Sequence, residues 1–94
     1  MSELTKTTTD HGTIRRWADE RGGRPATVAD TVEAGEPGVL TIHFPHQDPR
    51  HDRDLAEISW EAFFRKFEDE DLAFLYEEQT ADGDISRFFK LIRR

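Results

Sequence analysis

Three histidines within a nine-residue stretch, His43, His46 and His51, are the residues of this sequence best suited to binding a metal ion. Aspartates lie among them, and imidazole and carboxylate groups together ligate zinc, nickel or manganese. However, we predict His43 on a strand and the other two in a polar loop, whereas metal ligands usually lie on a helix or a tight turn. We therefore expect a solvated loop and no resident cofactor, and we keep metal binding by residues 43–51 as an alternative.

Acidic residues form the second group that could take part in catalysis or binding. A run of four carboxylates, at positions 68–71, follows the second predicted helix, where the helix dipole disfavours negative charge. The simplest explanation is solvation, and the functional one is an acidic surface that meets a basic protein. The chain has no Gly-rich phosphate loop, no G-x-S-x-G or H-E-x-x-H motif and no EF-hand loop. We therefore predict that the protein is not an enzyme.

The net charge of −7 limits the classes of partner. Nucleic-acid phosphates attract clustered Lys and Arg, and an acidic chain is repelled from them. A further alternative is an acidic nucleic-acid mimic that binds a basic protein. The chain has no cysteine, no apolar run long enough to span a membrane and no apolar signal segment. We expect a cytoplasmic bacterial protein with no membrane and no nucleic-acid partner.

Two helix–hairpin units follow one another along the chain. After a flexible tail at residues 1–8, a helix is predicted over residues 10–21, because Asp10 can cap it and Gly22 can end it. A hairpin follows, with strands near residues 25–31 and 39–44, and then a polar loop over residues 45–54. We expect residues 9–94 to form a single domain.

The second unit contains most of the aromatic residues. Ser59 is placed to cap a helix that ends near residues 69–71, and a strand begins at Leu72. A two-residue turn at Asp82 and Gly83 would then give a second hairpin. Its register places Phe74 opposite Leu91, Tyr76 opposite Phe89 and Glu78 opposite Arg87, with the four apolar side chains on one face.

The other face of this hairpin is the strongest indication of function in the sequence. Leu75, Phe88 and Ile92 form an apolar strip there, beside Glu77. If only one face of the sheet is covered, this strip is exposed, and such strips mark partner or oligomer surfaces. We therefore predict that the protein functions by protein interaction, with these four residues as the interaction surface.

The predicted fold is α+β in the order α-β-β-α-β-β. The simplest assembly is one four-stranded, mostly antiparallel sheet with both helices packed on one face. The alternative is two hairpins packed around the helices as separate ribbons.

Three segments together resemble a small, uncharacterised bacterial family of stand-alone proteins of about this length. They are TTTDHGTIRRWADERGGRPATV, PGVLTIHFP and EISWEAFFRKFEDEDLAFLYEEQTADGDISRFFKL, and they cover nearly the whole chain. The resemblance implies that the chain is a complete protein. Some relatives are labelled 1,4-alpha-glucan branching enzyme, but such an enzyme needs a large barrel that 94 residues cannot build. No functional residues are carried over from this family.

These observations predict a non-enzymatic interaction or accessory protein. Its partner would be another protein or a second copy of the chain, which binds through the second hairpin.

Overall fold

The computed structural model describes residues 5–45 and 54–94, which contain two helices and six short strands. In chain order the elements are β1 (Thr5–Thr8), α1 (His11–Glu20), β2 (Arg24–Val28), β3 (Leu40–His43), β4 (Leu55–Glu57), α2 (Trp60–Asp69), β5 (Leu72–Glu77) and β6 (Phe89–Arg93). A single 3-10 turn, Ala29–Thr31, follows β2.

The strands form two separate antiparallel sheets, in the orders β1-β5-β6 and β3-β2-β4. The predicted α+β class is confirmed, and the predicted single four-stranded sheet is wrong. Each predicted hairpin gains a third strand, so β2 and β5 become central strands. Since β4 occupies the free edge of β2 and β1 occupies the free edge of β5, neither edge is left to join the hairpins.

The two additional strands come from segments with little strand signal. The segment TKTT lies in the predicted flexible tail at residues 1–8, yet the structure pairs Thr5–Thr8 with β5, from Thr5 opposite Glu77 to Thr8 opposite Phe74. Threonine is β-branched and suits a strand. Strand β4 has only three residues, which is too short for an alternating pattern to be recognised. Most of the predicted polar loop, including His46 and His51, lies outside the described residues.

Both helices begin where the sequence places a capping residue. Asp10 accepts a hydrogen bond from the Thr13 backbone N–H at 2.8 Å, and Ser59 accepts one from Ala62 at 3.0 Å. These bonds satisfy N–H groups that have no partner within a helix. Helix α1 ends just before Gly22, whose φ of 70° is the left-handed conformation predicted for this stop.

The core lies between the helices and the inner faces of the two sheets. Its centre is Trp17 of α1, whose ring meets four other aromatic rings at centroid distances of 5.3–6.3 Å, those of Phe44, Phe74, Tyr76 and Phe89. Sheet β3-β2-β4 contributes Leu40 and Ile42, and α2 contributes Phe63 and Phe67. Aromatic rings from sheet β1-β5-β6 and from Phe44, the residue that follows β3, therefore pack around one indole ring.

Two threonine hydroxyls hold the connection between β2 and β3 in place. Thr27 donates to the Val39 carbonyl oxygen and accepts from the Gly38 N–H. Thr31 donates to the Val28 carbonyl oxygen and accepts from the Val39 N–H. Gly38 lies so close to Thr31 that a β-carbon added to it would be 2.1 Å from the Thr31 carbonyl oxygen. The close approach leaves no room for a side chain at position 38.

We expect Gly38→Ala to lower the free energy of unfolding by about 1–3 kcal/mol, because the new methyl group forces the backbone apart. Urea denaturation followed by circular dichroism measures the change. Gly12→Ala is the matched control, since Gly12 lies in α1 and its added β-carbon meets only the Asp10 carboxylate, at 3.4 Å. That control should raise the free energy of unfolding by about 0.5–1 kcal/mol. Equal effects of the two substitutions would contradict the close-approach explanation.

Candidate interaction surface

The second hairpin has the predicted register along its strands but not at its turn. Phe74 lies opposite Leu91 and Tyr76 opposite Phe89, as predicted. Near the turn, however, the Ser86 N–H donates to the Glu78 carbonyl oxygen, so the predicted pairing of Glu78 with Arg87 is wrong. The Glu78 carboxylate instead pairs with Lys6 of β1, at 3.1 Å.

The turn of this hairpin contains two irregularities, a three-residue loop and a β-bulge, whose effects on the strand register cancel. The loop has three residues, 81–83, closed by the Gly83 N–H to Thr80 bond, and Gly83 adopts a φ of 89°. Three-residue hairpin loops commonly end in a glycine with the left-handed conformation. The pairing then shifts between Ser86 and Phe88, since Glu77 bonds to Phe88 while Glu78 bonds to Ser86. One extra residue, Arg87, therefore forms a β-bulge, and the strand register returns to the predicted one.

Donors from α1 and from Arg21, the residue that follows it, hold this bulged segment. The Trp17 indole N–H donates to the Glu77 carbonyl oxygen at 2.8 Å. The Arg21 guanidinium donates to the Glu78 carbonyl oxygen at 2.8 Å and to the carbonyl oxygen of Ser86. We call these three the helix–hairpin bonds. Sequence reasoning missed them because Arg21 appears in the sequence only as the last residue of a helix.

Arg21 is an unusual cation because its side chain is only 2% exposed. A third backbone oxygen, that of Trp17, accepts from it at 2.9 Å, and its guanidinium carbon lies 4.5 Å from the Trp17 ring centroid. Burial lowers the pKa of Arg21, and the nearby Glu20 and Glu78 carboxylates oppose that shift. Carbonyl dipoles therefore replace most of the water that the cation loses.

The β-bulge sets what the hairpin presents on the outer face of sheet β1-β5-β6. Strand alternation gives this face, which we call the open face, the following residues: Thr5, Thr7, Ala73, Leu75, Glu77, Phe88, Lys90 and Ile92. The Phe88 side chain is 47% exposed. Leu75 and Ile92 are half-buried, and none of the three packs on the core cluster of the described residues.

Glu77 lies beside Phe88 and is also held in place. Its carboxylate accepts a hydrogen bond from the Ser86 hydroxyl at 2.8 Å, and that hydroxyl accepts from the Phe88 N–H at 3.1 Å. The open face carries one carboxylate, Glu77, and one ammonium, Lys90, in a chain whose net charge is −7. The predicted interaction residues are therefore brought together on a surface with balanced charge.

His43, the one predicted metal candidate among the described residues, is nearly buried and faces an acidic side chain. Its Nδ1 lies 3.4 Å from Glu57 Oε2, and Arg24 approaches the same carboxylate at 3.8 Å. No group of three or more His, Cys, Asp or Glu side chains suited to a metal occurs in residues 5–45 and 54–94. Metal binding that involves His46 and His51 stays a prediction.

A polar cluster that sequence reasoning missed lies at the ends of the two helices. Glu68 accepts from Arg94 at 2.8 Å and lies 2.8 Å from the His11 Nε2, and the His11 ring stacks on Phe64 with centroids 4.1 Å apart. Hydrogen bonds from Arg94 and then His11 lower the pKa of Glu68. The sequence gives no signal for this cluster, because its members are 26 and 57 residues apart.

Two surface hollows of the described residues are large enough to hold a ligand. The larger, of about 760 Å³, is lined by Lys6, Arg21 and Glu78 among others, but the Arg21 guanidinium is already bound to carbonyl oxygens. The smaller, of about 350 Å³, has a wall of leucines and a rim where Lys66 pairs with Glu70 at 3.6 Å. Every buried side-chain nitrogen or oxygen of the described residues has a hydrogen-bond partner. Neither hollow therefore presents a buried polar group that would orient a ligand.

Comparison with protein-family models, curated proteins and solved structures found no match. The family resemblance of the sequence therefore stays a prediction. In the described part of the chain, no helix combines the length and the apolar character needed to cross a membrane.

We expect Arg21→Lys to lower the free energy of unfolding by about 2–4 kcal/mol. The planar guanidinium of arginine reaches three carbonyl oxygens at once, whereas the compact ammonium of lysine cannot. Denaturant titration measures the loss. The control is Arg15→Lys on the exposed side of α1, where the guanidinium lies 3.9 Å from Asp19. That change should cost less than about 0.5 kcal/mol. A similarly small effect at Arg21 would show that the helix–hairpin bonds do not stabilise the fold.

Glu68 should make the stability depend on pH in the acid range. Its pKa in the folded protein lies below the ordinary value of 4.5, so its contribution is complete above that value. The contribution is lost as the pH falls through the lowered pKa. We expect Glu68→Gln to flatten the fall in unfolding free energy below about pH 4.5, measured by urea titrations at several pH values. Asp69→Asn, an exposed neighbour on the same helix, is the control and should leave the slope as it is in the parent protein.

Proposed function

We propose that this protein is a non-enzymatic interaction module whose binding surface is the open face of sheet β1-β5-β6. The observation that carries the proposal is the exposed Phe88, which shares with Leu75 and Ile92 a face that neither helix covers. Aromatic and aliphatic side chains of this kind, placed together, are typical of interface centres.

The rigidity of the surface supports binding rather than incidental exposure. Ser86 is buried, its carbonyl oxygen accepts from Arg21 and its hydroxyl accepts from the Phe88 N–H. Because the backbone on both sides of Phe88 is already fixed, little conformational entropy remains to be lost on binding. The β-bulge at Arg87 is a feature often found where a strand must direct one side chain.

The electrostatics support a protein partner. The net charge of −7 disfavours nucleic acid, whereas the open face itself holds one Glu and one Lys. The donors of the buried Arg21 are occupied by backbone oxygens, so this cation stabilises the fold. We place this activity in the cytoplasm.

Site-specific photocrosslinking tests the proposed function. We would introduce p-benzoylphenylalanine in place of Phe88 and, as the control, in place of the exposed Arg16 on α1. Irradiation in the native cells should give a discrete adduct at position 88 and none at position 16, because only the first lies on the open face. Mass spectrometry of the adduct identifies the attached protein.

If position 88 gives no more adduct than position 16, the proposed function is wrong. Circular dichroism on both variants establishes that they are folded, which is expected because neither side chain is part of the core.

A further inference from the structure

The exposed edge of β6 has hydrogen-bonding groups without a strand partner among the described residues. Glu77 donates to the Phe88 carbonyl oxygen, and Arg94 donates to the carbonyl oxygen of Asp71. In an antiparallel ladder, bonded and non-bonded pairs alternate, so every second residue of β6 directs its N–H and C=O toward β5. The remaining three, Phe89, Leu91 and Arg93, therefore direct theirs away from the sheet.

Strand β6 is the edge with the greatest tendency to pair. It has five residues, FKLIR, while the edge strands β1, β3 and β4 have four, four and three. None of its residues is fully buried, and only one charge, Lys90, interrupts its apolar centre. Natural edge strands are usually protected by shortness, charge or cover, so β6 is the edge least protected against pairing.

Self-pairing of β6 has one favourable register. With Leu91 opposite the partner's Leu91, Phe89 faces the partner's Arg93 and Lys90 faces the partner's Ile92. All three outward residues then form bonded pairs, and no like charges lie directly opposite. A shift that centres the pair on Lys90 would place two ammonium groups face to face, which is unfavourable.

We propose that a second copy of the chain binds at this edge, joined by antiparallel pairing of the two β6 strands around a two-fold axis at Leu91. The dimer has one continuous sheet of six strands, in which both open faces lie on the same side. This inference goes beyond the proposed function, since the second copy binds the edge of β6 and leaves both open faces uncovered. The two-fold axis makes the contact closed and self-complementary.

The dimer also extends the apolar surface across the axis. Ile92 of each copy lies beside the alkyl stem of the partner's Lys90, and Phe88 lies further from the axis on the same face. Arg93 is exposed at the strand end and would lie over the partner's Phe89, a favourable cation–ring contact. The pairing thus combines backbone hydrogen bonds with side-chain contacts that the single chain leaves unmade.

Sedimentation velocity over a concentration series up to about 1 mM tests the proposal. The parent protein should approach twice the chain mass of 10.9 kDa. Arg93→Pro removes an outward N–H without touching the ladder to β5, and should raise the dissociation constant at least about 10-fold. Arg93→Ala keeps that N–H, and Thr7→Pro makes the same change on the opposite edge, where Thr7 is in a non-bonded pair with Leu75. Both controls should dimerise more strongly than Arg93→Pro.

A parent protein that stays monomeric throughout the series would overturn the proposal. So would equal dimerisation of Arg93→Pro and the two controls. If a variant fails to fold, amide hydrogen exchange on the parent protein still decides: the N–H groups of Phe89, Leu91 and Arg93 should become more protected as concentration rises, and unchanged protection refutes edge pairing. A monomeric parent protein that still crosslinks to a different protein at position 88 would leave the proposed function standing.

Discussion

The structure depends on donors of helix α1 that bind the backbone of the second hairpin. Trp17 and Arg21 lie one helical turn apart, so both reach the same side of the helix. The Trp17 indole lies in the aromatic core and donates its N–H to the Glu77 carbonyl oxygen. The Arg21 guanidinium donates to the carbonyl oxygens of Glu78 and Ser86. Removing either donor would leave buried carbonyl oxygens without a partner, which is more costly than an absent surface contact.

These bonds link the core to the candidate interaction surface. A regular two-residue turn would continue the register without interruption, and no bulge would be needed. The three-residue loop shifts the pairing by one residue, and the bulge at Arg87 restores it before Phe88. Because Arg21 and Trp17 bind the backbone at this point, the packing of α1 fixes the segment that carries the exposed Phe88.

Local sequence signals predicted the local features of the fold. The caps at Asp10 and Ser59, the stop at Gly22 and the pairing of Phe74 with Leu91 each depend on residues close in sequence or on strand alternation. The sheet arrangement could not be predicted in this way. Strands β1 and β4 form only because the edges of β5 and β2 are available, and the segment TKTT has no apolar alternation that would indicate a strand.

The candidate surface was predictable for a similar reason. Alternation places Leu75, Phe88 and Ile92 on one face whichever turn joins the strands, as long as the register is preserved. The contacts that hold the surface rigid were not predictable, because Arg21 and Ser86 are 65 residues apart and neither is unusual in type. Hydrogen bonds between a buried arginine and backbone groups far away in the chain produce no periodic pattern by which a single sequence would reveal them.

Solvent access to the Phe88 ring shows whether a partner covers the open face. Hydroxyl-radical footprinting would compare the dilute purified protein with the same protein in an extract of its native cells, with the half-buried Phe64 on α2 as the internal reference. We predict that oxidation of Phe88 relative to Phe64 falls in the extract, because a partner covers the open face. An unchanged ratio would mean that this face meets only water, and would contradict its role as a binding surface.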